Sequence, residues 1–184
     1  MLKTHSVLIF FILSFISSKV FAETVDSIVA KKSDWTVFVA YEPKQCWAVS
    51  APLESVNKKD GVVVEVNRGL TQLFALFEPS KKVKDEISFT GGYPFAEETT
   101  NESGAIAFTV SMKIDGVNFN LRTEGGEWAW SPNPDVDKTI ISAMKRGSKA
   151  VLTGQSSRGT VTKDTFSLLG FTAALKEANE RCSN

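Results

Sequence analysis

Apolar and polar positions alternate along most of the chain. In residues 35–42, Trp35, Val37, Val39 and Tyr41 fall on one face, the period of a half-buried strand. Pro43, Lys44 and Gln45 interrupt it, and residues 46–51 begin a second strand. Residues 57–61 read as a charged turn, and residues 62–66 are β-branched and strand-like. Asn67, Arg68 and Gly69 then read as a hairpin turn into a strand over 70–77. Pro79 and the lysines at 81, 82 and 84 end that strand, the lysines as a solvated loop or a guarded sheet edge. Residues 86–90 form another strand, followed by Gly91, Gly92, Tyr93 and Pro94, and residues 96–104 read as a polar loop. Asp115 and Gly116 sit between alternating runs at 105–114 and 117–123; this is the strongest hairpin signal, because both turn positions require positive φ. Gly125 and Gly126 end the pair, and Trp128 starts a further strand. Strands at 149–153 and 160–168 flank Ser156, Ser157, Arg158 and Gly159. Residues 23–33 are polar and aperiodic and read as a loose N-terminal segment.

Helical periodicity comes late. Asn133 suits an N-cap and Pro134 the first helical position; Val136, Ile140, Ala143 and Met144 share a face, and Gly147 supplies a stop. In residues 171–181, Phe171, Leu175 and Ala178 recur at helical spacing, and Cys182 continues the same face. Short strands separated by turns, with two short helices in the C-terminal third, predict an all-β antiparallel sandwich; a closed barrel is the alternative that the pattern leaves open. With no repeat and no linker, residues 23–184 read as one domain.

The first residues carry a different signal. Lys3 precedes an apolar run at 7–16, and Val20 and Ala22 occupy the small-residue positions of a cleavage site before Glu23. The run is too short for the roughly 20 residues of a membrane span, so residues 1–22 read as a secretory signal peptide cut between Ala22 and Glu23. No second run approaches spanning length, so no transmembrane segment is expected in the mature chain. The whole chain has 21 basic and 21 acidic residues, and cleavage removes Lys3 and Lys19 and no acid. Without a basic excess, nucleic acid is not an expected partner.

Cleavage also removes His5, the only histidine. The mature protein then has no imidazole to act as base, to activate a Ser or Cys, or to ligate a metal. Two cysteines remain, Cys46 and Cys182. An even pair in an exported chain points to a disulfide, against free buried thiols or a redox pair, which is usually C-x-x-C. The inward phase of Cys182 on its helix points the same way. A bridge closing so long a loop is worth roughly 5 kcal/mol before any native strain.

Other candidate chemistry is sparse. Ser142 with Lys145, and Ser55 with Lys58, match S-x-x-K, but no K-T-G or S-D-N partner is present. Residues 154–158 miss G-x-S-x-G, and there is no dinucleotide or phosphate-loop motif. Glu97 and Glu98 are a conceivable carboxylate pair, although adjacent acids in a polar loop are more often solvated. Trp128 and Trp130 share a strand face and suit either stacking on a partner or half-buried packing, the commoner use. Arg158, at a Gly-flanked loop tip, suits an anion or plain exposure.

Several segments carry a family resemblance: CWAVSAP at 46–52, Arg68 with Gly69, SFTGGYPF at 88–95, AMKRG at 143–147, and above all GQSSRGTVTKDTFSLLGFTAALKEANERC at 154–182. With the signal peptide, they resemble the invasion-associated locus B family of exported proteins of Gram-negative bacteria. The resemblance implies an immunoglobulin-like β-sandwich and a possible role in host-cell interaction. It carries over no catalytic or ligand residues, only Cys46 and Cys182. The resulting expectation is a non-enzymatic envelope protein without cofactor or metal, periplasmic or associated with the outer membrane or surface. It would bind a protein or other envelope partner, with Arg158, Trp128 and Trp130 as candidate contacts. The alternative is a small periplasmic hydrolase built on Ser-Lys or on paired carboxylates.

Overall fold

Alternation becomes structure through a single hydrogen-bonded sheet that folds back on itself. The computed structural model describes residues 27–183. Its first half contains β1 (Ser27–Lys32), β2 (Trp35–Tyr41), β3 (Lys44–Ser50), β4 (Glu54–Lys59), β5 (Val62–Val63), β6 (Gln72–Glu78) and β7 (Val83–Thr90). Next come the short pair β8 (Thr99–Thr100) and β9 (Ile106–Ala107), then β10 (Val110–Ile114), β11 (Val117–Thr123) and β12 (Trp128–Trp130). Helix α1 (Pro134–Arg146), β13 (Lys149–Gln155), β14 (Val161–Ser167) and α2 (Phe171–Ser183) complete the chain.

The sheet runs β1-β2-β3-β6-β7-β12-β11-β10-β13-β14-β4-β5, antiparallel at every pairing. Strand β11 is the corner, since it pairs with β12 in one layer and β10 in the other. The two layers close over a common core as a β-sandwich. Phe89 of β7 meets Phe166 of β14 edge-on, with centroids 6.1 Å apart, and the Trp35 indole donates to the Ser167 carbonyl at 3.0 Å. Because β1 and β5 are the free ends of this order, the sheet is open and the barrel alternative falls.

Both helices are built as their sequences predict. The Asn133 side chain accepts from the backbone N–H groups of Asp135 and Val136, which caps α1. Gly147 ends it in extended backbone, φ −79° and ψ 164°, rather than in a left-handed cap. The glycine is needed there for space, because a Cβ would stand 2.7 Å from Ile114 Cγ2. The apolar face of α2 carries Phe171, Leu175, Ala178 and Cys182, all buried; Phe171 packs on Trp35 at 4.9 Å. Cys182 is disulfide-bonded to Cys46 of β3, with Cα atoms 5.9 Å apart.

Four sequence expectations are corrected. Residues 27–32 are not loose: they form β1 on the edge of β2, held by backbone pairing that needs no apolar pattern. Residues 57–59 belong to β4, so the charged turn shrinks to Asp60 and Gly61, with Val62 and Val63 paired back onto Lys59 and Lys58. Asn67, Arg68 and Gly69 are not a hairpin turn: they lie in an irregular crossing between the layers, and β6 begins only at Gln72. The polar stretch 96–104 contains β8. The signal segment and its cleavage site, Ala22 and Glu23, lie outside the described residues.

Candidate functional site

Where the crossing segment leaves β5, the chain needs a way across from one layer to the other. Arg68 provides it. Its guanidinium grips the Asp164 carboxylate with both terminal nitrogens, Nη1 to Oδ2 at 3.0 Å and Nη2 to Oδ1. Nη1 also donates to the Gly91 carbonyl at 3.4 Å, and Nη2 to Ser55 Oγ at 2.8 Å, while Ser55 itself donates to Asp164. The side chains are 10% and 0% exposed, so this is a buried ion pair whose hydrogen bonds are nearly saturated.

The local sequence makes room for the pair. Gly92 adopts φ +70°, and a Cβ there would lie 2.4 Å from the Gly69 carbonyl oxygen. The two glycines approach backbone to backbone, the Gly69 N–H donating to the Gly92 carbonyl at 2.8 Å. Tyr93 follows, with Arg68 over its ring at 5.8 Å and its hydroxyl bonded to Thr162. A Cβ on Gly154 would stand 2.6 Å from that hydroxyl. Burial pushes the Tyr93 phenol up to about 12, so it remains a neutral hydrogen-bonding group at ordinary pH.

Above this floor opens a cleft of about 520 Å³. Its lining includes Tyr93 and Thr162, the hydroxyls of Ser156, Ser157 and Thr160, and the charged side chains of Lys59, Arg158 and Glu127. Arg158 is thus placed on a cavity, as its loop-tip setting allowed. Arg68, Tyr93 and Asp164 were not singled out as site residues. Asp164 had a readable signal: it shares the strand phase of Phe166, and an inward aspartate demands a cation.

The other candidates stand elsewhere. Ser142 and Lys145 are both exposed on α1, away from any cleft lining. Ser55 and Lys58 lie on a strand, where a spacing of three puts side chains on opposite faces, and Ser55 is engaged by Asp164. Glu98 is not solvated: its carboxylate bonds Arg122 Nε at 2.7 Å and the Thr123 N–H at 3.1 Å, while Glu97 is exposed and has no such role. Trp128 and Trp130 are 40% and 36% exposed on the outer face of their layer, Trp128 against Phe74 at 5.2 Å, and neither lines the cleft. Among the described residues there is no group of three His, Cys, Asp or Glu arranged to hold a metal ion. Nor is any described helix long and apolar enough to cross a membrane.

Three of the segments that carried the family resemblance therefore converge here: Arg68 with Gly69, 91–95, and the start of the C-terminal block at 154–164. Residues 105–179 match the family model of the invasion associated locus B (IalB) protein. The IalB match runs from the approach to β9 into α2 and takes in Gly154, Arg158, Thr162 and Asp164. No curated protein and no solved structure matches the chain.

Proposed function

We propose that this IalB-like protein is an exported, non-enzymatic envelope module that binds its partner through the cleft over Arg68 and Asp164. The observation that carries this reading is the way the cleft is built. A buried ion pair, an enclosed tyrosine and close-packed glycines bring three distant segments to one place beneath a cleft lined by Arg158, Lys59 and several hydroxyls. Export is supported by the signal-like first residues, the Cys46–Cys182 bridge and the IalB match. The hydrolase alternative finds less support, since neither its Ser-Lys pairs nor Glu97 and Glu98 line the cleft.

A photo-crosslinking residue at Ser157, on the cleft wall, and another at Lys138, exposed on α1, separate the readings in cells. A discrete adduct from position 157, absent from position 138, is the expected result. Equal labelling at both positions, or none at 157, would overturn the assignment of the cleft.

A further inference from the structure

The charges of the cleft differ in how far they are already spent. Arg68 uses both terminal nitrogens on Asp164, Ser55 and Gly91, so its positive charge is cancelled and its donors are largely committed. Arg68 is a positioning residue that fixes the crossing segment as the floor. Lys59 and Arg158 are different. Both line the cleft, and neither side chain makes an ion pair or hydrogen bond with another described residue. Against these two cations stands one carboxylate, that of Glu127. The rest of the lining includes the hydroxyls of Ser156, Ser157, Thr160 and Thr162 and the neutral Tyr93, whose ring lies under Arg68.

This set has a definite complement. Two uncommitted cations call for an anionic group, because a guanidinium and an ammonium each gain most from a charged acceptor. Serine and threonine hydroxyls, together with a carboxylate acceptor, match a ligand that presents hydroxyls of its own. A wholly apolar ligand would leave these polar groups desolvated and unpaired.

We infer that the cleft recognises an anionic sugar, a saccharide unit bearing a phosphate or a carboxylate, with Arg158 and Lys59 holding the anion and the lining hydroxyls and Glu127 meeting the hydroxyls of the sugar. This rests on the reading of the cleft as the binding site and deepens it. Free sugar acid and sugar linked in a larger glycan share this chemistry.

Amide chemical-shift titration of the full mature protein tests it, with glucose 6-phosphate, glucuronate, glucose and inorganic phosphate as probes. The expected result is saturable shifts at Gly92, Ser157 and Thr160 with at least one of the two anionic sugars, and weaker shifts with glucose or phosphate alone. Arg158→Gln should weaken that binding about tenfold or more, the scale of one charge-assisted hydrogen bond. Lys59→Gln should weaken it as well, and both variants should melt with the wild type, since both side chains are exposed. Added salt should loosen the complex. A lipid-free oligosaccharide carrying the same acid, titrated in parallel, tells a linked unit from a free one by which binds more tightly. Silence with both anionic sugars, glucose binding as tightly as its phosphate, or unchanged binding in the Arg158→Gln, Lys59→Gln double variant would each overturn the inference. If crosslinking at Ser157 still yields an adduct in that event, the cleft remains a binding site and only the ligand class is lost. If crosslinking also fails, both readings fall.

Discussion

At the scale of single residues, Asp164 and Arg68 show why a buried charge is costly to half-remove. As a pair, each satisfies the other, and Ser55 and the Gly91 carbonyl take up most of the remaining capacity. Asp164→Ala leaves a guanidinium under the sheet with no counter-charge, at an expected cost of about 3–5 kcal/mol. Replacing both partners by apolar residues, Arg68→Met with Asp164→Leu, removes the charge problem altogether and should recover much of that loss. Denaturant unfolding of the two single variants and the double variant measures the coupling directly. Additive losses would mean that the pair acts as two independent side chains. Arg68→Lys is not conservative here, since an ammonium cannot span both carboxylate oxygens as the guanidinium does.

At the scale of elements, the clearest dependence is that of α2 on the bridge. Its thirteen residues are near the length at which isolated helices are marginal in water, so its stability comes from its buried face and from its tethered end. Cys46→Ala should cost a few kcal/mol and make the last residues of α2 the first in the protein to exchange amide hydrogens. Reductant should lower the melting temperature of the wild type and leave the Cys46→Ala, Cys182→Ala variant unmoved; equal sensitivity of the two would contradict an energetic role. Much of this element was legible in advance, because Phe171, Leu175, Ala178 and Cys182 repeat at helical spacing and all face inward. The Asp115–Gly116 hairpin was equally plain, as both residues do take positive φ. The crossing segment was not. Residues 62–66 are β-branched and read as one strand, but only Val62 and Val63 pair, at an edge and each 66% exposed, and the chain from 64 onward is irregular. Turn-forming residues at 67–69 serve a close backbone contact instead, with a partner loop far away in sequence. The site was hidden for the same reason: Arg158 is visible at its Gly-flanked tip, whereas Arg68 and Asp164 lie 96 residues apart; the register of β14 against β4 sets Asp164 opposite Ser55, and the crossing segment brings Arg68 to both.

At the scale of the whole molecule, a group of acids between α1 and β7 gives the stability a definite pH slope. Burial pushes the carboxyls of Asp137, Glu86 and Asp85 above their ordinary values, and neighbouring carboxylates add to the shift at Glu86 and Asp137. Groups that hold protons more tightly when folded contribute stability that is full below their unfolded pKa values and is lost as pH rises through the folded ones. These three therefore firm the fold as pH falls from neutrality into the mildly acid range. Glu177, lowered by Lys32 and Arg181, and Asp135, lowered by Lys138, work in the opposite sense but are screened by solvent; Glu78, lowered against its own desolvation by Lys81 and Gln45, also opposes the slope. Asp137→Asn should stabilise the protein at neutral pH and flatten this slope, because both the Ile87 N–H and the Ser131 hydroxyl bond Oδ1, which asparagine retains. Asp137→Ala, by contrast, orphans the Ile87 N–H and should cost about 1–3 kcal/mol. Melting curves from neutral pH down to pH 5 distinguish the two, and a steeper slope in the asparagine variant would contradict the argument. The order of the sheet has a further consequence for how the chain is made. Strand β4 waits for β14, Arg68 for Asp164, and Cys46 for Cys182, so the early segments find their partners only after β14 and α2 have been made. A nascent chain halted before β14 carries an unpaired cation, a lone thiol and an uncovered strand edge together. Closure of the fold is thus a late event by topology, and the first-made segments must wait for it in an unfinished state.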